Sequence, residues 1–141
     1  MTDSGTITPL ALVAQFYRRI GRQIRRQPTA DLPAVEVHQL IALLDEEVGE
    51  LRKGLVDSDL AKIAERLGDV VYAAYGAALQ YGIDLDVVIW VIHEANMTKA
   101  DSAGVSPGEK ATRGRYYVPS ALDVPPALED ALDRMHLEFG P

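Results

Sequence analysis

Three glutamates on one predicted helix are the residues of this sequence best suited to chemistry. That helix carries leucines at the four- and three-residue steps of a core-facing stripe: Leu40, Leu44, Leu51 and Leu55. Glu47 occupies the gap in this stripe, and Glu46 and Glu50 lie close to it on the same helix. Because burying a bare carboxylate is unfavourable and neighbouring carboxylates repel one another, this pattern predicts a bound cation.

The next predicted helix supplies further acids. Asp69 precedes an almost wholly apolar run, residues 70–79, and Glu65 lies one turn earlier on the same side. Antiparallel packing of the two helices would bring these carboxylates and the three glutamates together across one groove. Oxygen ligands suit Mg²⁺, with Mn²⁺ as a substitute. A di-iron site would need Glu-x-x-His pairs, and the first of these helices offers only Glu47-x-x-Glu50.

Caps, prolines and apolar periodicity predict the elements that position these acids. We expect helices over residues 9–26, 33–55, 60–81, 85–100 and 127–139, the fourth of them capped by Asp84. Asp31 is the predicted cap of the second helix, and Gly82 is the predicted end of the third. The pattern predicts an all-α fold of the four-helix-bundle type, with a C-terminal loop and a short last helix.

The fourth predicted helix changes character towards its C-terminal end. We expect its apolar stripe of Leu85, Ile89 and Ile92 to pack the core. The stripe continues, by the same steps, to Asn96 and Lys99. An amide can read a base or ribose, and an ammonium can meet a phosphate. The loop beyond adds further basic residues, among them Lys110 and Arg113, that would close over a polyphosphate.

Composition limits the class of protein. The chain has 141 residues, 48% of them hydrophobic and 25% charged, which favours one globular domain spanning residues 1–141. The net charge of −7 argues against DNA or RNA as a partner, and the absence of cysteine excludes thiolate metal sites. Because neither a long apolar run nor a signal-peptide pattern is present, we expect no membrane association and a cytoplasmic location.

Four segments resemble the MazG-like superfamily of all-alpha nucleoside triphosphate pyrophosphohydrolases: DEEVGEL, RLGDVVYAAYG, GIDLDVV and HEANMTKAD. They are most similar to its dUTPase-like branch, often described as phosphoribosyl-ATP pyrophosphohydrolase-like. The resemblance implies a MazG-like fold with a core over about residues 10–100, followed by a lid loop and tail over 101–141. It also implies a tight helical homodimer, Mg²⁺ ions, and cleavage of a nucleoside triphosphate to monophosphate and pyrophosphate.

The resemblance assigns the acids residue by residue. Glu46, Glu47 and Glu50 match the EExxE motif of the superfamily, and Asp69 matches the last position of its ExxD motif. Asn96 and Lys99 match its nucleotide-contacting pair.

One position departs from the pattern. The glutamate of the ExxD motif is replaced by Arg66, and Glu65 stands one residue earlier. Two interpretations follow: Glu65 reaches the metal as a secondary ligand, or Arg66 points into the site and takes the place of one cation.

The expected function is metal-assisted hydrolysis of dUTP or a related non-standard nucleotide. Glu47, Glu50 and Asp69 would be the principal metal ligands, with Glu46 a ligand or the base that orients water. The predicted substrate-binding residues are Asn96 for sugar or base, Lys99 with Lys110 or Arg113 for phosphates, and Phe16, Tyr17 or Tyr72 for stacking on the base. The basic run that includes Arg18, Arg19 and Arg22 is interpreted as a solvated face. The alternatives are a phosphoribosyl-ATP pyrophosphohydrolase, and a helical dimer that binds a nucleotide or partner after losing hydrolysis through Arg66.

Overall fold

The computed structural model describes residues 7–101 and 125–139. The helices are α1 (Pro9–Arg19), α2 (Ala34–Asp57), α3 (Leu60–Tyr81), α4 (Leu85–Asp101) and α5 (Glu129–Phe139). These helices confirm the all-α prediction, and an isolated antiparallel bridge joins Ile83 to Ala127. Within the same two ranges, no helix combines the length and apolar character needed to cross a bilayer.

The connection between α2 and α3 is only Ser58 and Asp59, so the two helices form an antiparallel hairpin. Ser58 has a left-handed backbone with φ 53°. The Asp59 carboxylate accepts a hydrogen bond of 3.2 Å from the backbone N–H of Lys62, which caps α3. The hairpin sets the glutamate-bearing helix beside the helix that carries Asp69.

The core lies between α1, the C-terminal half of α3, and α5. Its largest fully buried side chains are Leu10 and Val13 from α1, Leu79 from α3, and Leu128 at the start of α5. Burying a leucine contributes about 1.5–3 kcal/mol. The last helix is therefore part of the core, held by Leu128 and its neighbour Leu132.

α1 is shorter than predicted, because it ends at Arg19 and not at residue 26. Gly21 adopts φ 73°, a conformation that favours glycine. The backbone N–H of Arg22 then donates to the carbonyl of Tyr17 at 2.8 Å, which closes the helix.

The segment after α1 runs across the C-terminal end of α3. The backbone N–H of Arg25 donates to the Leu79 carbonyl at 3.0 Å, and its guanidinium donates to the Gln80 carbonyl at 2.8 Å. Helices leave their last carbonyls without internal partners. These tertiary hydrogen bonds outweigh the helical pattern of residues 20–26, and periodicity alone cannot reveal them.

The prediction that Asp31 caps α2 is wrong. Pro33 is the N-cap residue, without a side-chain cap, and its carbonyl accepts hydrogen bonds from the N–H groups of Glu36 and Val37. α2 also continues to Asp57, two residues beyond the predicted end.

α4 begins as predicted after Asp84, whose carboxylate accepts a hydrogen bond of 3.3 Å from the Val87 N–H. Leu85 packs against the core. The rest of the predicted stripe does not, since Ile89 is 51% exposed and Ile92 is 41% exposed. The expectation that this stripe packs the core is wrong for a single chain, because α1, α3 and α5 close the core without it.

Candidate active site

A cavity of about 360 Å³ opens between α1, α2 and α3. It is lined by Phe16, Tyr17, Ile20, Arg22, Leu43, Glu47, Asp69, Tyr72 and Ala73. Two carboxylates, three aromatic rings and a guanidinium therefore share one concave surface. Such a surface can receive a ligand that has both charged and planar parts.

Glu47 is the electrostatically unusual member of this cavity. Its Oε2 atom is buried and has no hydrogen-bond partner among the described residues. Burial raises the pKa of Glu47 above its ordinary value of 4.5, and the charges of Asp69 and Glu46 raise it further, against a lowering effect of Arg66. A buried carboxylate oxygen without a donor is a group that a cation or a bound donor would satisfy.

Arg66 lies between two other predicted ligands. Its Nη1 atom is 3.4 Å from Asp69 Oδ2, and its Nη2 atom is 3.8 Å from Glu50 Oε2. Glu50 also accepts a hydrogen bond of 3.0 Å from Lys53 Nζ. This bond is the main cause that lowers the pKa of Glu50, with the Lys53 charge next and Arg66 contributing less.

The geometry of the structure is that of the second interpretation of the ExxD motif, in which Arg66 points into the site. Arg66 contacts the acids of the groove, whereas Glu65 has an exposed side chain. Glu46 is exposed as well, one residue before Glu47.

The carboxylates of Glu47, Glu50 and Asp69 are chemically suited to a divalent cation, but Glu50 and Asp69 pair with Arg66 in this structure. Glu47, Glu50 and Asp69 offer only carboxylate oxygens, the donors that Mg²⁺ prefers, and the orphaned Oε2 of Glu47 calls for a positive charge. In the part of the chain that the structure describes, no three His, Cys, Asp or Glu side chains converge closely enough to hold a metal. Arg66 pairs with two of the acids in the arrangement seen here.

Three aromatic rings line the cavity together with Glu47 and Asp69. Phe16 and Tyr72 meet edge to face, with centroids 5.9 Å apart, and Phe16 also lies 6.4 Å from the Tyr17 ring. Phe16 and Tyr72 are 46% and 41% exposed, so both present ring surface to a ligand. Burial, and secondarily the Tyr17 hydroxyl, raises the pKa of Tyr72 above its ordinary value of 10.0.

Arg22 is a cavity residue that the sequence interpretation missed. Its guanidinium lies 5.7 Å from the centre of the Tyr17 ring, and both residues line the cavity. The interpretation of a continuous helix placed it on a solvated face. Gly21 directly before it was the available signal, because a glycine there allows α1 to end and the chain to turn back.

The predicted nucleotide contacts of α4 lie at the end of that helix. Asn96 is exposed, and Lys99 is buried with only 7% of its surface accessible. Neither lines the cavity. Lys110 and Arg113 lie outside the described residues.

Comparison with known proteins supports one family. Residues 13–96 match the family described as phosphoribosyl-ATP pyrophosphohydrolase, a span that includes Glu47, Asp69 and Asn96. The chain is also 31% identical over 88 residues to "Uncharacterized protein L479" of Acanthamoeba polyphaga mimivirus. That alignment covers 60% of this chain and 35% of the viral protein, so the chain spans about a third of the length of this relative.

Proposed function

We propose that this chain, which belongs to the phosphoribosyl-ATP pyrophosphohydrolase family, hydrolyses a nucleoside triphosphate to a nucleoside monophosphate and pyrophosphate. One observation carries the proposal. A single cavity combines the buried Oε2 atom of Glu47, which has no hydrogen-bond partner among the described residues, with Asp69, Arg22 and the exposed rings of Phe16 and Tyr72. These are groups suited to a metal, a phosphate chain and a nucleobase.

The acids of the groove are proposed to hold Mg²⁺, with Mn²⁺ as a substitute. Glu47, Glu50 and Asp69 would be the principal ligands. When bound, the metal would offset charge on the phosphates and activate water for attack. Glu46 would be a further ligand or the base that orients the water, and Glu65 would be at most a secondary ligand because its side chain is exposed.

The other residues are proposed to bind and orient the nucleotide. Tyr72 and Phe16 would stack on the base, since an aromatic face is worth about 1–3 kcal/mol per base. Arg22 would meet a phosphate oxygen, a role that suits a guanidinium. Asn96 of α4 would contact the sugar or base, and Lys99, with Lys110 or Arg113 beyond the helix, would hold the phosphates.

Two substrates are candidates. We favour dUTP or a related non-standard nucleotide, because the motifs of the chain are most similar to the dUTPase-like branch. Phosphoribosyl-ATP is the second candidate, and the description of the matched family favours it. A third possibility, a nucleotide-binding dimer with impaired hydrolysis, is favoured by the pairing of Arg66 with two of the acids.

The working form is proposed to be a homodimer. α4 leaves large apolar side chains exposed, among them Trp90 at 60% and Met97 at 50%. Exposed apolar surface of this kind is typical of an interface, and a second copy of the chain offers the same surface in return. Sedimentation should show a dimer, and Trp90→Glu should shift it towards monomer. A wild-type protein that sediments as a monomer would rule this proposal out.

The function is tested by pyrophosphate release from dUTP, dCTP, dTTP, dATP, ATP and phosphoribosyl-ATP, with Mg²⁺ and with a chelator. We expect metal-dependent release from one of these nucleotides and its loss in Glu47→Gln. Asp45→Asn is the matched control, because it removes an exposed acid from the same helix. Absence of release by folded protein from every nucleotide would reject hydrolysis and leave the binding role.

A further inference from the structure

We propose that Arg66 is a resident cation that a divalent metal must displace from Glu50 and Asp69, so that this arginine weakens metal binding. The inference rests on the proposed function, because it concerns the same acids. It adds a residue that sets how tightly the site binds its metal.

The geometry of Arg66 is that of a bridge between two helices. Asp69 lies three residues further along α3, whereas Glu50 belongs to α2, and the two carboxylates meet different nitrogens at 3.4 and 3.8 Å. The side chains of Arg66, Glu50 and Asp69 are 30%, 36% and 42% exposed, so solvent screens these pairs only in part. A guanidinium remains charged and its planar fork can serve two carboxylates at once.

Lys53 provides the contrast. It pairs with Glu50 at 3.0 Å, but from the same helix and with a side chain that is 73% exposed. Lysine is a flexible point charge that can swing into solvent. Lys53 neutralises one ligand from outside the groove, whereas Arg66 occupies the space between two ligands.

Arg66 pairs with Glu50 and Asp69 but not with Glu47. The Oε2 atom of Glu47 is buried and has no hydrogen-bond partner in the part of the chain that the structure describes. A metal held by Glu47 and Asp69 would satisfy that atom, but it has to compete with the guanidinium for Asp69. The metal can bind only to those molecules in which the contact between Arg66 and Asp69 is broken. Its apparent affinity is therefore reduced in proportion to the fraction of such molecules.

The test is direct titration of the full-length protein with Mn²⁺ at fixed ionic strength, with free Mn²⁺ measured by electron paramagnetic resonance. Arg66→Gln should bind Mn²⁺ about tenfold more tightly than wild type, because two incompletely screened ion pairs no longer compete. Lys53→Gln removes the same charge and should change the affinity by less than about threefold. Arg66→Lys keeps the charge without the fork, and its affinity should lie between wild type and Arg66→Gln.

The outcomes separate this inference from the proposed function. If wild type binds Mn²⁺ in a way that Glu47→Gln abolishes, but Arg66→Gln gains no more than Lys53→Gln, Arg66 does not compete and the inference fails alone. If no variant binds Mn²⁺ in a Glu47-dependent way, the proposed metal site and the inference both fail. Circular dichroism checks that each variant is folded, and Arg66→Lys keeps the test informative if Arg66→Gln is not.

Discussion

A β-carbon at position 76 would lie 2.2 Å from the hydroxyl oxygen of Tyr17 and 2.9 Å from its ring carbon Cζ. The Tyr17 side chain on α1 therefore occupies the space that a side chain at position 76 of α3 would need. Tyr17 is 5% exposed, and its ring belongs both to the core and to the wall of the candidate active site. Because position 76 has no side chain, there is room for the Tyr17 ring, which lines the cavity.

Gly76→Ala should destabilise the protein by about 1–2 kcal/mol, measured by urea unfolding. The buried ring has to move, which costs about 1–3 kcal/mol, and the better helix propensity of alanine offsets only part of this. Gly68→Ala is the control on the same helix, since no atom lies within 4 Å of its added β-carbon. It should be neutral or stabilising by up to about 1 kcal/mol.

Tyr17→Phe should partly rescue Gly76→Ala, because it removes the hydroxyl oxygen that is nearest to the new β-carbon. The double-mutant cycle measures this coupling. Additive effects of the two substitutions would contradict the contact.

Glu47→Gln should stabilise the metal-free protein at pH 7 by about 0.5–1 kcal/mol, because it removes a charge that burial and neighbouring acids disfavour. The pKa of Glu47 is raised in the folded state, so the folded protein prefers the protonated acid. Stability linked to this group is complete below the ordinary value of 4.5 and is lost as the pH rises through the folded-state pKa. The advantage of the variant should therefore disappear well below pH 4.5.

Added Mg²⁺ should reverse the order of the two proteins. The free energy of unfolding of the wild type should rise by about 2.7 kcal/mol when Mg²⁺ is at a hundredfold excess over Kd, and its melting temperature should rise accordingly. Glu47→Gln should show neither change. Asp45→Asn should respond to Mg²⁺ as wild type does. A full metal response in Glu47→Gln would place the metal elsewhere.

Replacing either exposed ring of the cavity should weaken nucleotide binding. Phe16→Ala and Tyr72→Ala should each raise KM about tenfold, the lower part of the range for a lost base–aromatic contact. Leu12→Ala is a suitable control, because Leu12 is 49% exposed on the same helix as Phe16 and does not line the cavity. If Phe16→Ala and Tyr72→Ala also keep the wild-type KM, the base does not stack on these rings.

Arg22→Gln should raise KM for the triphosphate about tenfold, with Arg19→Gln as the control for lost charge. Arg19 ends α1 with an exposed side chain and does not line the cavity. Arg22→Lys should recover part of the affinity, because it keeps the charge but not the planar group that lies against Tyr17. Equal effects of Arg19→Gln and Arg22→Gln would indicate only a general electrostatic attraction.

Tyr75 should make the protein sensitive to alkaline pH. Its hydroxyl donates to Asp86 Oδ1 at 2.9 Å, and burial, helped by this carboxylate, raises the pKa of Tyr75 to about 12. Since the folded-state pKa is raised, the stabilisation is complete below pH 10 and is lost between about pH 10 and 12. The stability difference between wild type and Tyr75→Phe should shrink by about 2 kcal/mol over this window. A constant difference would show that Tyr75 does not ionise differently in the folded and unfolded states.

Local signals in the sequence were sufficient for the hairpin that carries the acids. The apolar run and Gly82 predicted α3 over residues 60–81, and the structure, in which Asp59 caps the helix, confirms these bounds, because helix ends depend mainly on neighbouring residues. Glu47 was recognisable for the same reason: a carboxylate at a core-facing step breaks a pattern of period 3.6, wherever the helix later packs. The assignment of the acids as metal ligands stays a prediction.

Tertiary structure decided what periodicity cannot encode. α1 ends at Arg19 because the following residues satisfy carbonyls at the end of α3, a partner distant in sequence. Arg22 enters the cavity only because of that early end. The choice between Glu65 and Arg66 likewise depends on the rotation of α3 against α2, which places the guanidinium between Glu50 and Asp69. The sequence determines which side chains share a helix face, whereas contacts between helices determine which face meets which.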